Sequence, residues 1–298
     1  MEVTWTATAS APSVKRFLLT RGVSKNLWER QKRQGGRQLL NGRQTTPDQA
    51  VSVGDQVTLI VADEPADDRI LVSHEPVELV ATTAHWLVAN KPAGVSSVPG
   101  PTNQTDTMVN RIKGWLVANE ATNLVPHLLT RLDRDTSGIM LVARDGLTQG
   151  LMTPQVEQHA MKKTYLALVA GQMPTKHDII DAPIGRVPDQ PVRQIDPAGQ
   201  SAQTEYWVEE TFATASLLRL QLHTGRTHQI RVHLTSLGHP LLGDELYEGP
   251  TELMKRQALH AASLSFVDPL TGEQQIVTAP LPADFEETLT QLRQAETV

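Results

Sequence analysis

The chemistry in this chain concentrates in one stretch, Arg131-Leu132-Asp133-Arg134-Asp135-Thr136-Ser137-Gly138, where an aspartate sits between two arginines and runs into a Thr-Ser-Gly turn. A carboxylate beside fixed positive charge stays ionised at neutral pH, because a nearby cation favours the charged form. Asp133 therefore suits a nucleophile or base better than a proton donor. Two other readings stay open on these residues alone. Asp133 and Asp135 could form the carboxylate pair of a glycosidase-like hydrolase, or the stretch could be a salt-bridged turn without chemistry. A second reactive group is Tyr165, behind the basic pair Lys162-Lys163. A third segment, Leu222 to Leu234, carries Arg226, Arg231 and three histidines, His223, His228 and His233. Their five-residue spacing does not align them on one helical face, and no carboxylate pattern supports them, so no metal site is expected.

These groups need elements to hold them. Asp135, Thr136 and Ser137 can satisfy loop amides and Gly138 can supply an unusual backbone angle. The apolar run Ile139 to Ala143 then has the length of a buried strand, so Asp133 falls on a rigid loop at the mouth of a sheet. Trp86 to Ala89 reads as a strand turning through Asn90-Lys91-Pro92-Ala93-Gly94. Leu147 to Met161 reads as a helix, and Lys162 to Gly171 as the strand bearing Tyr165. Leu218, Leu220 and Leu222 alternate along another strand, which turns at Gly225-Arg226. Thr227 is expected to cap a helix with Ile230, Leu234 and Leu237 buried and Gly238 past its end.

The net charge of −6 hides an asymmetry. Residues 1–62 hold nine Lys/Arg, from Lys15 to Arg43, against four Asp/Glu (Glu2, Glu29, Asp48, Asp55), a balance of +5 that leaves −11 for the rest. Ser13 and Ser24 can each cap a short helix. The second carries Leu27, Trp28 and Gln31 and stops at Gly35-Gly36. Leu39 to Arg43 reads as a strand entering an Asn-Gly hairpin, and Val57, Leu59 and Val61 alternate along another. Lys25, Arg30, Lys32, Arg33 and Arg37 surround the second helix, as RNA contacts or as a solvated face. The expected division is a basic module at 1–62, a linker at 63–80 whose acidic, two-proline part (Asp63 to Pro76) reads as flexible, and a catalytic body at 81–298. No apolar run reaches membrane-span length. Met1 to Ala11 does not resemble a secretory signal. Cysteine is absent, which excludes thiol chemistry and makes a cytoplasmic location the expectation. Oligomeric state is not legible, and a monomer is the default.

The Arg-Leu-Asp loop resembles the signature loop of the RluA/RluD family of pseudouridine synthases, and further marks follow in order: Lys91-Pro92-Ala93-Gly94, Tyr165, Gln229-Ile230-Arg231, Leu237 to Asp244, Tyr247 and Leu259-His260-Ala261. This similarity runs from about residue 85 to 285. It departs from the family at Val98 and Thr130, where members often have histidine. Residues 13–62 resemble the RNA-binding module named after ribosomal small-subunit protein four. The resemblance implies an α+β pseudouridine synthase fold, a large mixed and mostly antiparallel sheet with flanking helices, behind a small α/β module. It implies an isomerase that turns uridine into pseudouridine in RNA without cofactor or metal, on a nucleotide drawn out of its stack. By the same resemblance Asp133 reacts first, Arg231 pairs with it, and Tyr165 stacks on uracil and assists loss of the proton from its fifth carbon. Leu259 walls the base, and Arg131 and Lys91 are placed against the substrate. Arg226 meets phosphate or orients the loop. A structural ion pair is the alternative for both Arg226 and Arg231. The expected substrate is large-subunit ribosomal RNA, with transfer RNA second. A non-catalytic RNA-binding protein of the same fold is the remaining alternative.

Overall fold

The computed structural model describes residues 1–295, so the last three residues of the expected 81–298 body lie outside the described part. At the N-terminus, β1 (Glu2–Thr6), α1 (Val14–Thr20), α2 (Lys25–Arg33), β2 (Arg37–Leu40), β3 (Arg43–Gln44) and β4 (Gln56–Ile60) form a module. Its antiparallel sheet runs β1-β4-β2-β3. Ser13 and Ser24 cap the helices as their positions imply, accepting from the Arg16 and Leu27 amides. Such a cap contributes about 1 kcal/mol. Sequence reasoning missed β1: it pairs with β4 from Glu2↔Ile60 to Thr6↔Gln56, a long-range contact that no local pattern announces. Val14, Phe17, Leu18, Leu27, Trp28, Val57 and Leu59 fill the module's core, and two residues of the body, Leu147 and Leu151, complete it.

The body contains β5 (Glu78–Thr82), β6 (Trp86–Lys91), α3 (Met108–Ala118), β7 (His127–Leu128), β8 (Ser137–Ala143), α4 (Gly146–Glu157), β9 (Lys162–Ala170), β10 (His177–Asp181), β11 (Ile184–Arg186), β12 (Arg193–Ile195), β13 (Gln203–Thr211), β14 (Ala215–Leu222), α5 (Gln229–Ser236), β15 (Leu259–Val267), β16 (Gln274–Thr278) and α6 (Ala283–Ala295). Its sheet has the order β10-β13-β14-β9-β15-β8-β6-β5, with β16 beside β15 and β7 beside β8. Its neighbours pair antiparallel except β15 and β8, which meet in parallel at His260↔Ser137 and Ala261↔Gly138. The fold is thus the expected mixed, mostly antiparallel α+β architecture. β8 is buried at every residue, which explains its uninterrupted apolar run. Helix α4 stops at Glu157, short of the expected Met161.

The segment between module and body is a bonded strap rather than the flexible link its composition suggests. Lys113 of α3 donates to the carbonyls of Asp67 (2.9 Å) and Ile70 (2.6 Å), and Asn110 donates to that of Leu71. A methyl group on Gly114 would meet the Ser73 carbonyl oxygen at 1.9 Å, so only glycine lets the strap cross the helix there. Glu64 anchors the other end. Its carboxylate accepts from the Gly146 amide (2.6 Å), at the N-terminus of α4, and contacts His127 Nε2 at 2.8 Å. Burial pushes the Glu64 carboxyl up, but the hydrogen bond and charge of His127, the Gly146 amide and Arg30 together bring it below the ordinary 4.5. A carboxylate lowered in the folded state stabilises fully above its unfolded value and loses that contribution as the pH falls through its folded one. Glu64→Gln is therefore expected to cost about 1–3 kcal/mol at neutral pH. Thermal unfolding of both proteins across an acid series should show their difference shrinking once the pH drops below the 4.5 range.

Candidate active site

Asp133 stands at the sheet's parallel junction because the chain there leaves no room for another path. Gly138 adopts φ +111°, and a Cβ on it would lie 2.3 Å from the Ala261 carbonyl oxygen. The loop before it is clamped from several elements. Ser97 Oγ donates to the Leu132 carbonyl (2.6 Å) and accepts from the Leu132 amide (3.0 Å). Arg256 donates to the Asp135 carbonyl, and its Nε and Nη2 are held by Asp284. Gln257 donates to Thr136 Oγ1, and Ser137 Oγ contacts His260 Nδ1 at 2.9 Å. Thr130, where the resemblance anticipated histidine, accepts from the Leu141 amide and is buried.

Lys91 belongs to this clamp. It is wholly buried, and its ammonium donates to the carbonyls of Pro92 (2.8 Å), Val95 (2.7 Å) and Arg134 (2.7 Å). Burial lowers its pKa to about 7, while the carbonyls occupy all three of its protons. The expectation that Lys91 contacts substrate is thus corrected: a saturated, buried ammonium can offer a ligand nothing, and it fixes the loop instead.

The charge facing Asp133 comes from α5 and not from its own flanking arginines. Arg231 Nη1 donates to Asp133 Oδ2 at 3.4 Å, and the same guanidinium is held bidentately by Asp244, Nε to Oδ2 at 2.7 Å and Nη2 to Oδ1 at 2.8 Å. Arg131 is exposed and pairs with none of the described residues, while Arg134 donates to the Gly94 carbonyl. The Tyr247 ring lies 4.8 Å from the guanidinium carbon of Arg231. The Tyr247 hydroxyl accepts from the Arg193 amide and contacts His228 Nδ1 at 3.0 Å. His228 Nε2 is 4.0 Å from Asp133 Oδ2. Burial keeps the His228 imidazole below its usual pKa, against the pull of Asp133.

Helix α5 starts differently from expectation. His228 occupies the cap position at φ 56°, with no side-chain cap bond, so Thr227 does not cap. Gln229 serves this turn, accepting from Thr224 Oγ1 and the Arg226 amide and donating to the Gln203 carbonyl and Thr204 Oγ1. Ile230 and Leu234 are buried, but Leu237 is 43% exposed, because the helix ends before it. The three histidines separate: His223 bonds Glu205, His228 bonds Tyr247, and His233 is buried against Thr204 and the Ala182 carbonyl.

A cleft of about 560 Å³ opens over this assembly. Asp133, Arg231, Arg131, Arg226, Tyr165 and Leu259 all line it, whereas Asp135 does not. Tyr165 and Leu259 share one face of the sheet, since β9 and β15 run in register with Leu259 opposite Ala167. Burial and, secondarily, the charge of Asp133 push the Tyr165 phenol far up, so it is a neutral phenol at physiological pH. Arg226 Nε donates to the Ser201 carbonyl, leaving it half-exposed at the rim. Val98, the other departure from the family pattern, lies exposed at the cleft edge. Sequence reasoning gave no role to Asp244, Ser97 or Gln257. Asp244 and Tyr247 were visible as marks of the resemblance, but nothing in their spacing says that they grip Arg231.

In the module, Lys25, Lys32, Arg33 and Arg37 are exposed as expected. Arg30 is not part of that free face. It is half-buried against α4, its Nε is enclosed without a hydrogen-bond partner, and Glu64 lies beside it. Among the described residues no helix is long and apolar enough to cross a membrane.

Residues 85–236 match the family described as RNA pseudouridylate synthase. The Bacillus subtilis protein named "Uncharacterized RNA pseudouridine synthase YjbO" is 38% identical over 93% of this chain and 98% of its own. The Nitrosomonas europaea protein named "Ribosomal large subunit pseudouridine synthase D" is 36% identical, covering 82% of this chain and 74% of its own. Among solved structures, Human RNA Pseudouridylate Synthase Domain Containing 1 superposes with TM-score 0.60 at 25% identity, over 79% of this chain and 98% of that one. The matched span contains Asp133, Tyr165 and Arg231, and with the fold it leaves one reading: this chain belongs to the RNA pseudouridylate synthase family and is an RNA pseudouridine synthase, an isomerase.

Proposed function

We propose that the enzyme isomerises uridines of large-subunit ribosomal RNA, with Asp133 as the reacting carboxylate and the N-terminal module as an RNA contact. The observation that carries the substrate is the 36% identity, over four-fifths of the chain, to a relative named for the large ribosomal subunit. The exposed cations of α2 and its flanks support the module's role, since phosphate contacts of this kind position an RNA without reading its sequence.

In the reaction the bond from uracil N1 to ribose C1′ breaks and a bond from C5 to C1′ forms. C5 loses its proton and N1 gains one, so no oxidant, reductant or energy source is consumed. The nucleotide must leave its stack to present these atoms, at a cost of a few kcal/mol. Asp133, the one carboxylate among the described residues that line the cleft, is oriented by Arg231 and acts first on the nucleotide. Leu259 and Tyr165 form the apolar wall for the base. Because its phenol is held neutral, Tyr165 passes on the C5 proton only in concert with losing its own. The absence of Asp135 from the cleft disfavours a carboxylate-pair hydrolase.

The test is a map of pseudouridines by carbodiimide-block primer extension in ribosomal and transfer RNA, comparing cells without the protein, with it, and with Asp133→Asn. A large-subunit site lost on deletion and restored only by the wild type is expected. A missing site confined to transfer RNA would replace the substrate assignment.

A further inference from the structure

Lys163 is a cleft residue that the reaction as described does not use. It lies on β9 two residues before Tyr165, so both side chains leave the same face of the strand, roughly 7 Å apart. It lines the cleft beside Leu128 and Val156, half-buried, and makes no hydrogen bond or ion pair with any described residue. Its neighbour Lys162 points outward and is exposed. Burial is the one influence on the Lys163 amine, which it lowers from its usual pKa, and no carboxylate stands close enough to oppose it. The nearest reactive anion of the site, Asp133, is committed to Arg231.

A partly desolvated ammonium without a counter-charge costs free energy in the free enzyme, and an anion supplied by a ligand removes that cost. The strand repeat separating Lys163 from Tyr165 is close to the separation of a nucleobase from a backbone phosphate. We propose that Lys163 binds a phosphodiester of the RNA next to the nucleotide whose base packs on Tyr165, and so holds the unstacked nucleotide in the cleft. This rests on RNA being the substrate and not on which RNA it is. Lys163 is thereby a positioning residue: it touches the strand and not the bonds that change.

The experiment uses the full-length enzyme and total RNA carrying tritium at uracil C5, taken from cells lacking the protein. This substrate pool contains ribosomal and transfer RNA alike, so the result does not depend on the substrate assignment above. Tritium release gives kcat and kcat/KM across a salt series for wild type, Lys163→Met and Lys163→Arg. Lys163→Met is expected to lower kcat/KM roughly tenfold at low salt, the size of one charge-assisted hydrogen bond. The slope of log kcat/KM against log salt should shallow by about 0.7–0.9, the signature of one lost phosphate contact. The arginine variant should restore the slope, and kcat should stay within about twofold of wild type in both. Removing an unpartnered amine should leave the thermal midpoint equal or higher. If Lys163→Met is unstable, Lys163→Gln takes its place in the same series. An unchanged salt slope with kcat reduced would overturn the proposal in favour of a contact to the base. Unchanged kinetics would overturn it in favour of an idle amine.

Discussion

Asp133→Asn is expected to reduce pseudouridine formation by roughly 10⁴-fold or more, the scale seen when a reacting side chain is removed, while RNA binding persists. The substitution keeps the side chain's size and shape and removes its negative charge, leaving one acceptor oxygen toward Arg231 in place of two. The loop should not move, because its backbone is held by Ser97, Lys91 and Arg256 and not by the Asp133 carboxylate. Circular dichroism and thermal unfolding would confirm an unaltered fold, and filter binding to labelled RNA would report affinity. Turnover within tenfold of wild type would remove Asp133 from the reacting position. Loss of RNA binding together with turnover would make Asp133 a binding group. The same variant separates an enzyme from a pure RNA-binding protein, which would not respond to the change.

Asp244→Asn should produce the second large effect, on stability and turnover together. Asp244 is 2% exposed and Arg231 5% exposed, and the two meet through two short, parallel hydrogen bonds. Removing one partner of a buried pair costs about 3–5 kcal/mol where the other charge is left uncompensated, and the lower end is expected here because Asp133 still faces Arg231. The neutral amide keeps the volume but can accept through one oxygen only, and its NH₂ group opposes the guanidinium. Arg231 would then be anchored by Asp133 (3.4 Å) and by the Tyr247 ring, and its guanidinium would settle closer to the Asp133 carboxylate. A displacement of this order in an active site lowers kcat by about 10²-fold. Denaturant unfolding measures the first effect. Tritium release, run well below the variant's melting temperature, measures the second. A folded Asp244→Asn enzyme with wild-type kcat would show that Arg231 needs no external support, which the bidentate geometry argues against.

Much of this protein is local in origin and was therefore legible in the residues. Ser13 and Ser24 cap their helices through side-chain oxygens three residues away from the amides they serve. The Asn41-Gly42 turn, the alternation of β14 and the apolar run of β8 likewise express short-range geometry. The order of the motifs carried Asp133, Tyr165, Arg231 and Leu259, and the fold brings these four to one cleft.

What the residues could not show are contacts between distant segments, where a side chain's partner is chosen by packing. Strand β1 exists through pairing with a strand more than fifty residues away, and an isolated five-residue segment has no hydrogen bonds of its own to announce it. Lys91 stands in a family motif, and only the convergence of three carbonyls around its ammonium shows that it secures a loop and does not meet substrate. Arg30 shares its helix with free cations, yet the docking of α2 on α4 turns it inward beside Glu64. The linker's acidic, proline-containing composition reads as loose, but Lys113, Asn110 and Gly146 supply bonding partners from remote positions. The sequence by itself determined the class of chemistry, because each motif is contiguous with its own turn and the motifs follow one another in a fixed order along the chain. Tertiary structure alone decided which charge pairs with Asp133, since neither flanking Arg131 nor Arg134 bonds to it, whereas Arg231, ninety-eight positions on, is brought to it by α5 and gripped from behind by Asp244.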